Sequence, residues 1–191
     1  NMKPKIINNF LPEVLHNRLQ EYVYQQPFYI IKNISGESNI ERNIPGVNIV
    51  DNQLGLSSLI YDGQAGIVDK ERFETYCLIL DVATKKFDIE LNKIFRIRVG
   101  VGINMGTPGS HLPHTDFDFE HYTLLYYIDG CDGDTIFYDQ IKDGSYVDTF
   151  TTQMTNKPTA NQAVLFNGLQ YHSSSNPENA LLRPAVNINF R

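Results

Sequence analysis

The 191-residue chain contains no tryptophan, only two cysteines and five histidines, and no long hydrophobic run. No stretch approaches the roughly 20 apolar residues of a membrane span. The first residues also lack the basic-then-apolar layout of a secretion signal. Cys77 and Cys131 lie outside any CxxC motif, which argues against a cysteine-bound zinc ion. We therefore expect free thiols and a reducing, cytoplasmic compartment.

Positive charge is scarce as well. Sixteen lysines and arginines oppose 22 aspartates and glutamates, so the formal net charge is -6 and the pI is about 5.3. Because a general affinity for nucleic acid usually requires a basic face, nucleic acid is an unexpected partner. The hydrophobic content of 41% and the charged content of 20% are typical of a globular protein, and the length predicts a single domain, residues 1–191.

The first half of the chain predicts two helices. Apolar residues recur at helical spacing over residues 12–25 and 69–87, and residues 28–31 predict a short strand. Residues 36–66 contain scattered Gly, Ser and Asn with isolated apolar residues. We interpret them as a long, partly ordered excursion, which could form a lid over a site.

The hydrophobic period changes after residue 93. Residues 94–104 alternate, with Arg96 and Arg98 opposite the apolar positions, and such arginines are typical of a solvated face. Turn signals such as Asp129-Gly130 separate further predicted strands at 122–128, 135–138, 146–153, 163–166, 171–174 and 185–190. Helices within residues 1–93 followed by strands within 94–191 favour a mainly β sandwich or barrel with flanking N-terminal helices.

The triplet His114-Thr115-Asp116, followed 58 residues later by His172, carries the main chemical signal. Pro113 disfavours a helix here, and in an extended chain residues i and i+2 project from the same face. Two imidazoles and one carboxylate are the ligand set of a mononuclear non-haem Fe(II) site with open positions. The triplet alone arises easily by chance, and a surface histidine beside acidic residues is the alternative for His114.

Other residues compete with this set or complement it. His111 and His121 are rival imidazole ligands, although His121 begins a predicted strand and suits packing or the surface. Asp118 continues the i+2 series but should point beyond a metal held by the triplet. Arg183 precedes the last predicted strand, and its guanidinium could bind a carboxylate through two hydrogen bonds. A surface arginine paired with Glu178 is the alternative.

One ordered series of segments resembles the iron(II)/2-oxoglutarate-dependent dioxygenases: residues 112–116, 122–128, 133–137, 161–167, His172 and Arg183. Within that superfamily the similarity is to the prolyl-4-hydroxylase-like branch and its phage or marine microbial relatives. It covers about residues 94–191. The resemblance implies a double-stranded β-helix, or jelly roll, with N-terminal helices packed against one sheet.

The resemblance also implies the chemistry of the site. His114, Asp116 and His172 would hold Fe(II), Arg183 would bind the distal carboxylate of 2-oxoglutarate, and O2 would be consumed. Asp116 favours hydroxylation, because related halogenases carry a small residue there. The implied substrate is a peptidyl, prolyl-like C–H bond in a protein or peptide partner. A collagen substrate is not implied, since collagen-type enzymes usually carry lysine in place of Arg183.

Three further residues complete the implied cosubstrate site. Tyr127 matches a tyrosine that assists the arginine, and Thr123 lies four residues earlier on the same strand face. Asn104 stands near the position of a pocket tyrosine in this branch. Cross-strand packing is the alternative for Tyr127 and Thr123. The alternatives for the whole chain are an AlkB-like nucleic-acid demethylase, a zinc hydrolase and a non-catalytic jelly-roll binding or viral structural module.

Overall fold

A computed structural model describes residues 3–32, 47, 49 and 54–191. In this part of the chain two helices are present, α1 (Glu13–Gln25) and α2 (Lys70–Phe87). The strands are β1 (Lys5–Ile7), β2 (Tyr29–Ile31), β3 (Gly55–Asp62), β4 (Gly66–Ile67), β5 (Ile94–Ile103), β6 (Tyr122–Tyr127), β7 (Thr135–Ile141), β8 (Thr152–Asn156), β9 (Gln162–Asn167), β10 (Gln170–Ser174) and β11 (Leu182–Phe190).

The strands form two antiparallel sheets. The larger sheet has the order β1-β9-β6-β11-β5-β3-β2, with β4 paired to β3, and the smaller sheet has the order β10-β7-β8. Isolated antiparallel bridges join Ser110 to Ser175 and His114 to His172, so an extended segment continues the smaller sheet beyond β10. This mainly β, two-sheet architecture confirms the predicted jelly roll, or double-stranded β-helix.

The larger sheet is buried on both faces. One face packs against both helices in a core that includes Phe10, Tyr76, Leu80, Leu124 and Ile188. The opposite face packs against the smaller sheet through Leu125, Tyr127, Phe137, Val164, Phe166 and Ala185. Burial of apolar area is the main stabilising contribution in such layered folds.

The helix limits follow from local sequence. α1 begins directly after Pro12, and α2 begins after Asp69, whose side chain accepts a hydrogen bond from the Arg72 amide at 2.9 Å. α2 ends at Phe87, and the capping residue Asp88 has the left-handed conformation (φ 54°). Both predicted helices are thereby confirmed. Neither helix in the described ranges is long and apolar enough to cross a membrane. Both cysteines are free thiols, as predicted.

The structure corrects the interpretation of residues 36–66. Gly55–Asp62 forms β3, which lies between β2 and β5 in the larger sheet, so this part is a structural strand and not a lid. The pairing buries Ser58 and Ile60, and the apolar signal was weak because serines occupy two strand positions. Residues 36–46, 48 and 50–53 of the predicted lid lie outside the described residues.

A second correction concerns residues 146–153. Residues 146–151 form no strand, and the strand in this region begins only at Thr152. These residues follow a turn in which Asp143 accepts a hydrogen bond from the Ser145 amide at 2.9 Å. Strands β1 to β4 come from residues 1–93 and join the larger sheet. The change of period at residue 93 is therefore not a structural boundary.

Candidate metal centre

His114 and His172 lie opposite each other on neighbouring extended segments. The His114 amide donates to the His172 carbonyl at 2.9 Å, and the His172 amide donates to the His114 carbonyl at 3.0 Å. This reciprocal pair brings the imidazole ring centroids to 4.7 Å. A sheet register therefore joins two ligands that are far apart in sequence.

Hydrogen bonds to backbone carbonyls fix the tautomer of both imidazoles. Nδ1 of His114 lies 2.9 Å from the Leu112 oxygen, and Nδ1 of His172 lies 3.0 Å from the Gln170 oxygen. A carbonyl only accepts, so each Nδ1 carries the proton and each Nε2 keeps a free lone pair for a metal. Burial and the neighbouring His114 lower the pKa of His172 to about 4, so this ring is neutral at pH 7.

Asp116 supplies the carboxylate beside the two imidazoles. One oxygen lies 2.8 Å from Nη2 of Arg96, and the other accepts from the side-chain amides of Asn189 at 2.8 Å and Asn187 at 3.2 Å. Burial alone would raise the pKa of this carboxyl. Arg96, the two histidines and Asn189 outweigh burial and hold it well below its usual range. Asp116 is therefore ionised, as a metal ligand must be.

Together these side chains form a compact ligand set. The candidate ligand atoms of His114, Asp116 and His172 all lie within 4.8 Å of one another. Two imidazoles and one carboxylate fit a non-haem Fe(II) site and can also hold zinc. The sequence prediction that these residues come together agrees with this geometry.

The rival ligands are held elsewhere. His111 is buried between Asn176, at 3.0 Å from Nε2, and Ser174, at 2.9 Å from Nδ1. The ring of His121 packs so closely against Gly168 that a Cβ there would come within 2.1 Å of Nε2. Asp118 does not belong to the ligand cluster found among the described residues. The histidines that competed in sequence therefore pack in other contacts.

Arg183 lines the same cavity as His114 and His172. Its Nε donates to the Gly133 carbonyl at 2.7 Å, its Nη2 donates to Oγ1 of Thr135 at 2.6 Å, and the guanidinium lies 5.7 Å from the ring centroid of Tyr127. These contacts orient the guanidinium and leave Nη1 uncommitted by them. The arrangement can hold a carboxylate inside the cavity.

Tyr127 supports this arginine from outside the cavity. Tyr127 is fully buried, and its hydroxyl lies 2.5 Å from Oγ1 of Thr135, which also contacts Arg183. Thr135 lines the cavity, and Tyr127 is not among the lining residues. Tyr127 therefore supports Arg183 through Thr135, a residue that the sequence analysis missed.

The structure does not bring Thr123 or Asn104 to the carboxylate end of the cavity. Thr123 is fully buried and accepts a hydrogen bond from Asn189 at 3.0 Å, beside Asp116. The Asn104 amide donates to the backbone oxygens of Glu178, at 2.8 Å, and Ala180. Neither is among the cavity-lining residues, so both expected cosubstrate contacts need correction. Thr123 lies on the predicted strand face, but at its other end.

Arg96 and Arg98 also differ from expectation. Arg96 is 19% exposed in its side chain and pairs with Asp116, and Arg98 lines the cavity. The predicted solvated face is therefore wrong. The face is covered because it lies toward β10 of the smaller sheet, whose residues 172–174 line the same cavity as Arg98. Asn187 and Asn189 were also missed, and their signal was a polar residue at alternate positions of an otherwise apolar strand.

Comparison with known proteins gives matches only at the level of structure. No protein-family model and no curated protein matches the sequence. A 2OG-Fe(II) oxygenase family oxidoreductase from Burkholderia pseudomallei is 12% identical, with a TM-score of 0.69 over 98% of this chain and 84% of that one.

Two further solved structures are similar over most of their length. A prolyl hydroxylase from Trichoplax adhaerens, in complex with a hypoxia inducible factor peptide fragment, is 16% identical, with a TM-score of 0.59 over 98% of this chain and 82% of that one. The epimerase SnoN, in complex with Fe3+, alpha ketoglutarate and a nogalamycin compound, is 12% identical, with a TM-score of 0.61 over 98% and 78%. The chain therefore has the double-stranded β-helix fold of the Fe(II)/2-oxoglutarate oxygenases.

Proposed function

We propose that this protein is an Fe(II)- and 2-oxoglutarate-dependent dioxygenase. Its proposed reaction is hydroxylation of a C–H bond in a peptidyl, prolyl-like substrate, with release of succinate and CO2. One observation carries the proposal: the two histidines of the two-histidine, one-carboxylate cluster line the same cavity as the oriented guanidinium of Arg183. We further propose that residues 1–191 act as one domain, since β1 to β3 complete the sheet that carries the site.

Each residue has a distinct proposed role. His114, Asp116 and His172 hold Fe(II), which supplies the O2-activating redox chemistry when it is bound. Their hydrogen bonds to backbone carbonyls and to Arg96 keep the ligands oriented and in the protonation state that a metal requires. Arg183 binds the distal carboxylate of 2-oxoglutarate, and it is positioned for this by Thr135.

The cavity supports this activity over the alternatives. A zinc hydrolase needs a general base near the metal. No carboxylate is present among the described residues that line the cavity, and the third histidine there, His111, is held by Asn176 and Ser174. A non-catalytic jelly roll needs neither the ligand cluster nor a partly buried guanidinium that lines a cavity. The net charge of -6 disfavours a nucleic-acid demethylase.

The substrate class is a more specific part of the proposal than the oxygenase activity. The Trichoplax adhaerens prolyl hydroxylase was solved with a peptide, and a Pseudomonas putida prolyl-4-hydroxylase is also similar in structure, at a TM-score of 0.53. The same fold occurs in an epimerase and a carbocyclase. The peptidyl substrate therefore depends on the sequence resemblance of residues 112–183, and a panel of proline-containing peptides is the first set to assay.

Two measurements test the proposal. Anaerobic addition of Fe(II) and 2-oxoglutarate to the metal-free protein should produce a visible charge-transfer band, and admission of O2 should then yield succinate. His114→Ala should show neither, because it removes one metal ligand. Absence of the band in the wild-type protein, together with succinate formation no higher than in His114→Ala, would overturn the proposal.

A further inference from the structure

Arg98 is a second guanidinium in the cavity. No described residue forms an ion pair with it, and the charge of Asp116 acts on it only at longer range. It lies on β5 and lines the cavity together with Arg183. Its buried Nε has no hydrogen-bond partner, and the ion pairs between described residues involve Arg96 and other side chains but not Arg98. Arg98 as a whole is only partly buried, and its partly desolvated charge without an ion-pair partner can bind an anion that enters from outside the protein.

The register separates the two cavity arginines. Arg183 pairs with Gly102, and Arg98 pairs with Asn187, four residues further along β11. At about 3.4 Å per residue, roughly 13 Å of strand separates the two positions. Asn187 also contacts Asp116, so Arg98 lies at the metal-ligand end and Arg183 lies at the other end.

The cosubstrate leaves Arg98 without a partner. In the proposed function, one carboxylate of 2-oxoglutarate binds the metal and the other binds Arg183. That dicarboxylate has no third anionic group. The described lining residues of the cavity include both arginines but no carboxylate, so an anion that enters the cavity can form the ion pair that Arg98 lacks.

An acceptor lies beside this guanidinium. Asn187 donates its amide to Asp116, and its buried Oδ1 has no hydrogen-bond partner within the described ranges. Asn187 lines the cavity and is the register partner of Arg98. The pair therefore offers a charged donor and a neutral acceptor side by side, which matches a carboxylate with an N–H or O–H group close to it.

Resting on the proposed function, we propose that Arg98 is a specificity-determining residue that binds a carboxylate of the substrate, with Asn187 Oδ1 accepting from a neighbouring N–H or O–H group. A free amino acid carries this chemistry, and so does an aspartate next to a peptide N–H. Arg98 thereby selects anionic substrates, and Arg183 is left to the cosubstrate.

The test compares matched acids and amides. The Zn(II)-loaded protein with 2-oxoglutarate, which does not turn over, is titrated with L-proline or L-prolinamide and with an Asp-Pro or Asn-Pro peptide blocked at both ends. Ligand-observed NMR gives the affinities, and the side-chain Nε–H resonance of Arg98 reports direct contact. The first pair tests a free amino acid and the second tests a carboxylate carried by a peptide.

We expect at least one acid to bind the wild-type protein tenfold or more tightly than its amide and to shift the Arg98 resonance. In Arg98→Gln this preference should fall below about twofold, and Arg98→Lys should keep part of it because the charge remains. The affinity for 2-oxoglutarate should change less than about threefold in Arg98→Gln and more than tenfold in Arg183→Gln.

Three results would overturn the inference: no acid preference in the wild-type protein, a preference that survives in Arg98→Gln, or loss of 2-oxoglutarate binding in Arg98→Gln as severe as in Arg183→Gln. A separate measurement would detect a failure of the oxygenase proposal. It would appear as no succinate from the wild-type protein with Fe(II) and 2-oxoglutarate, whatever the acid preference found by NMR.

Discussion

Arg96 and Arg98 lie two residues apart on the same face of β5, yet their surroundings differ. Arg96 forms a 2.8 Å ion pair with Asp116, whose side chain is only 5% exposed. Arg98 has a buried Nε without a partner in the described part of the chain. Of these two identical side chains on one strand, Arg96 therefore makes a structural contact and Arg98 faces an open cavity.

This difference predicts opposite effects on stability. Arg96→Gln should lower the free energy of unfolding of the metal-free protein by about 3 kcal/mol, because it leaves Asp116 buried without its cation. Arg98→Gln should leave that free energy unchanged or raise it, since it removes an unpaired charge. Urea denaturation of both variants measures the difference. Equal losses would show that Arg98 has a structural partner after all.

Arg183 gives the second prediction at this scale. Arg183→Gln should raise the KM for 2-oxoglutarate by about 10- to 100-fold, because a charge-assisted hydrogen bond contributes roughly 1.5 to 3 kcal/mol. Thr135→Val should raise it by about fivefold, since Thr135 contacts Nη2 of Arg183 but carries no charge. Succinate formation against 2-oxoglutarate concentration measures both. An unchanged KM in Arg183→Gln would place the cosubstrate elsewhere.

The sequence predicted the residues with distinctive chemistry better than the residues that support them. His114, Asp116 and His172 could be selected because few side chains bind iron. Asn187 and Thr135 could not, because amides and hydroxyls occur at many positions and only the register shows which ones point into the cavity. Thr123 was misplaced for a related reason. A shared strand face does not mean a shared end of a cavity.

Among the elements, β11 organises the site. Arg183, Ala185 and Asn187 alternate along one face and all line the cavity, and Asn189 continues that face to Asp116. Pro184 is tolerated because the β6 ladder begins only at Ala185, so β11 has a single register partner, β5, at the proline. One strand thus joins the carboxylate-binding end of the cavity to the metal-ligand end.

The loop before β7 supports the same arginine, which gives the third prediction. A Cβ at Gly133 would lie 2.7 Å from the Ser175 oxygen and 2.9 Å from Cδ of Arg183. Gly133→Ala should therefore displace Arg183 and raise the KM for 2-oxoglutarate about tenfold, with metal affinity unchanged. Gly63→Ala is the matched control, because nothing lies within 4 Å of its Cβ. Equal KM values in the two variants would contradict this role.

Helices and strands were predictable where the spacing of apolar residues was regular. Both helices and most strands after residue 93 follow from apolar spacing and turn residues. β3 was missed because its serines and glycine weaken the alternation, and tertiary pairing with β5 overrides that weak local preference. The short strands β1 and β4 have two or three residues each, which is too short for a period to be visible.

At the scale of the whole molecule, the larger sheet separates the main apolar core from the candidate site. The helices cover one face with a large apolar core, and the metal ligands and the cavity lie toward the smaller sheet. Buried histidines are the main acid-sensitive groups in this arrangement. Burial lowers the pKa of His16, His111, His121 and His172, and the values for His111 and His172 fall to about 4.

The metal-free protein should therefore lose stability on mild acidification. A histidine with a folded pKa below its unfolded value of 6.5 contributes stability above pH 6.5, and that contribution is lost as the pH falls toward the folded pKa. Between pH 6.5 and 5 the loss should be about 2 kcal/mol each for His111 and His172. The low pKa of Asp116 acts in the same direction, but its contribution is lost only below about pH 4.

Urea denaturation of the metal-free protein at several pH values between 5 and 7.5 tests this expectation, and His111→Gln separates one contribution. The variant loses contacts with Asn176 and Ser174, so its stability at pH 7.5 can be lower than that of the wild-type protein. Its decline between pH 6.5 and 5 should nevertheless be smaller by about 2 kcal/mol, because one proton-binding group is absent from the unfolded chain. Parallel pH profiles for the two proteins would show that His111 has the same pKa in the folded and unfolded states, which its burial opposes.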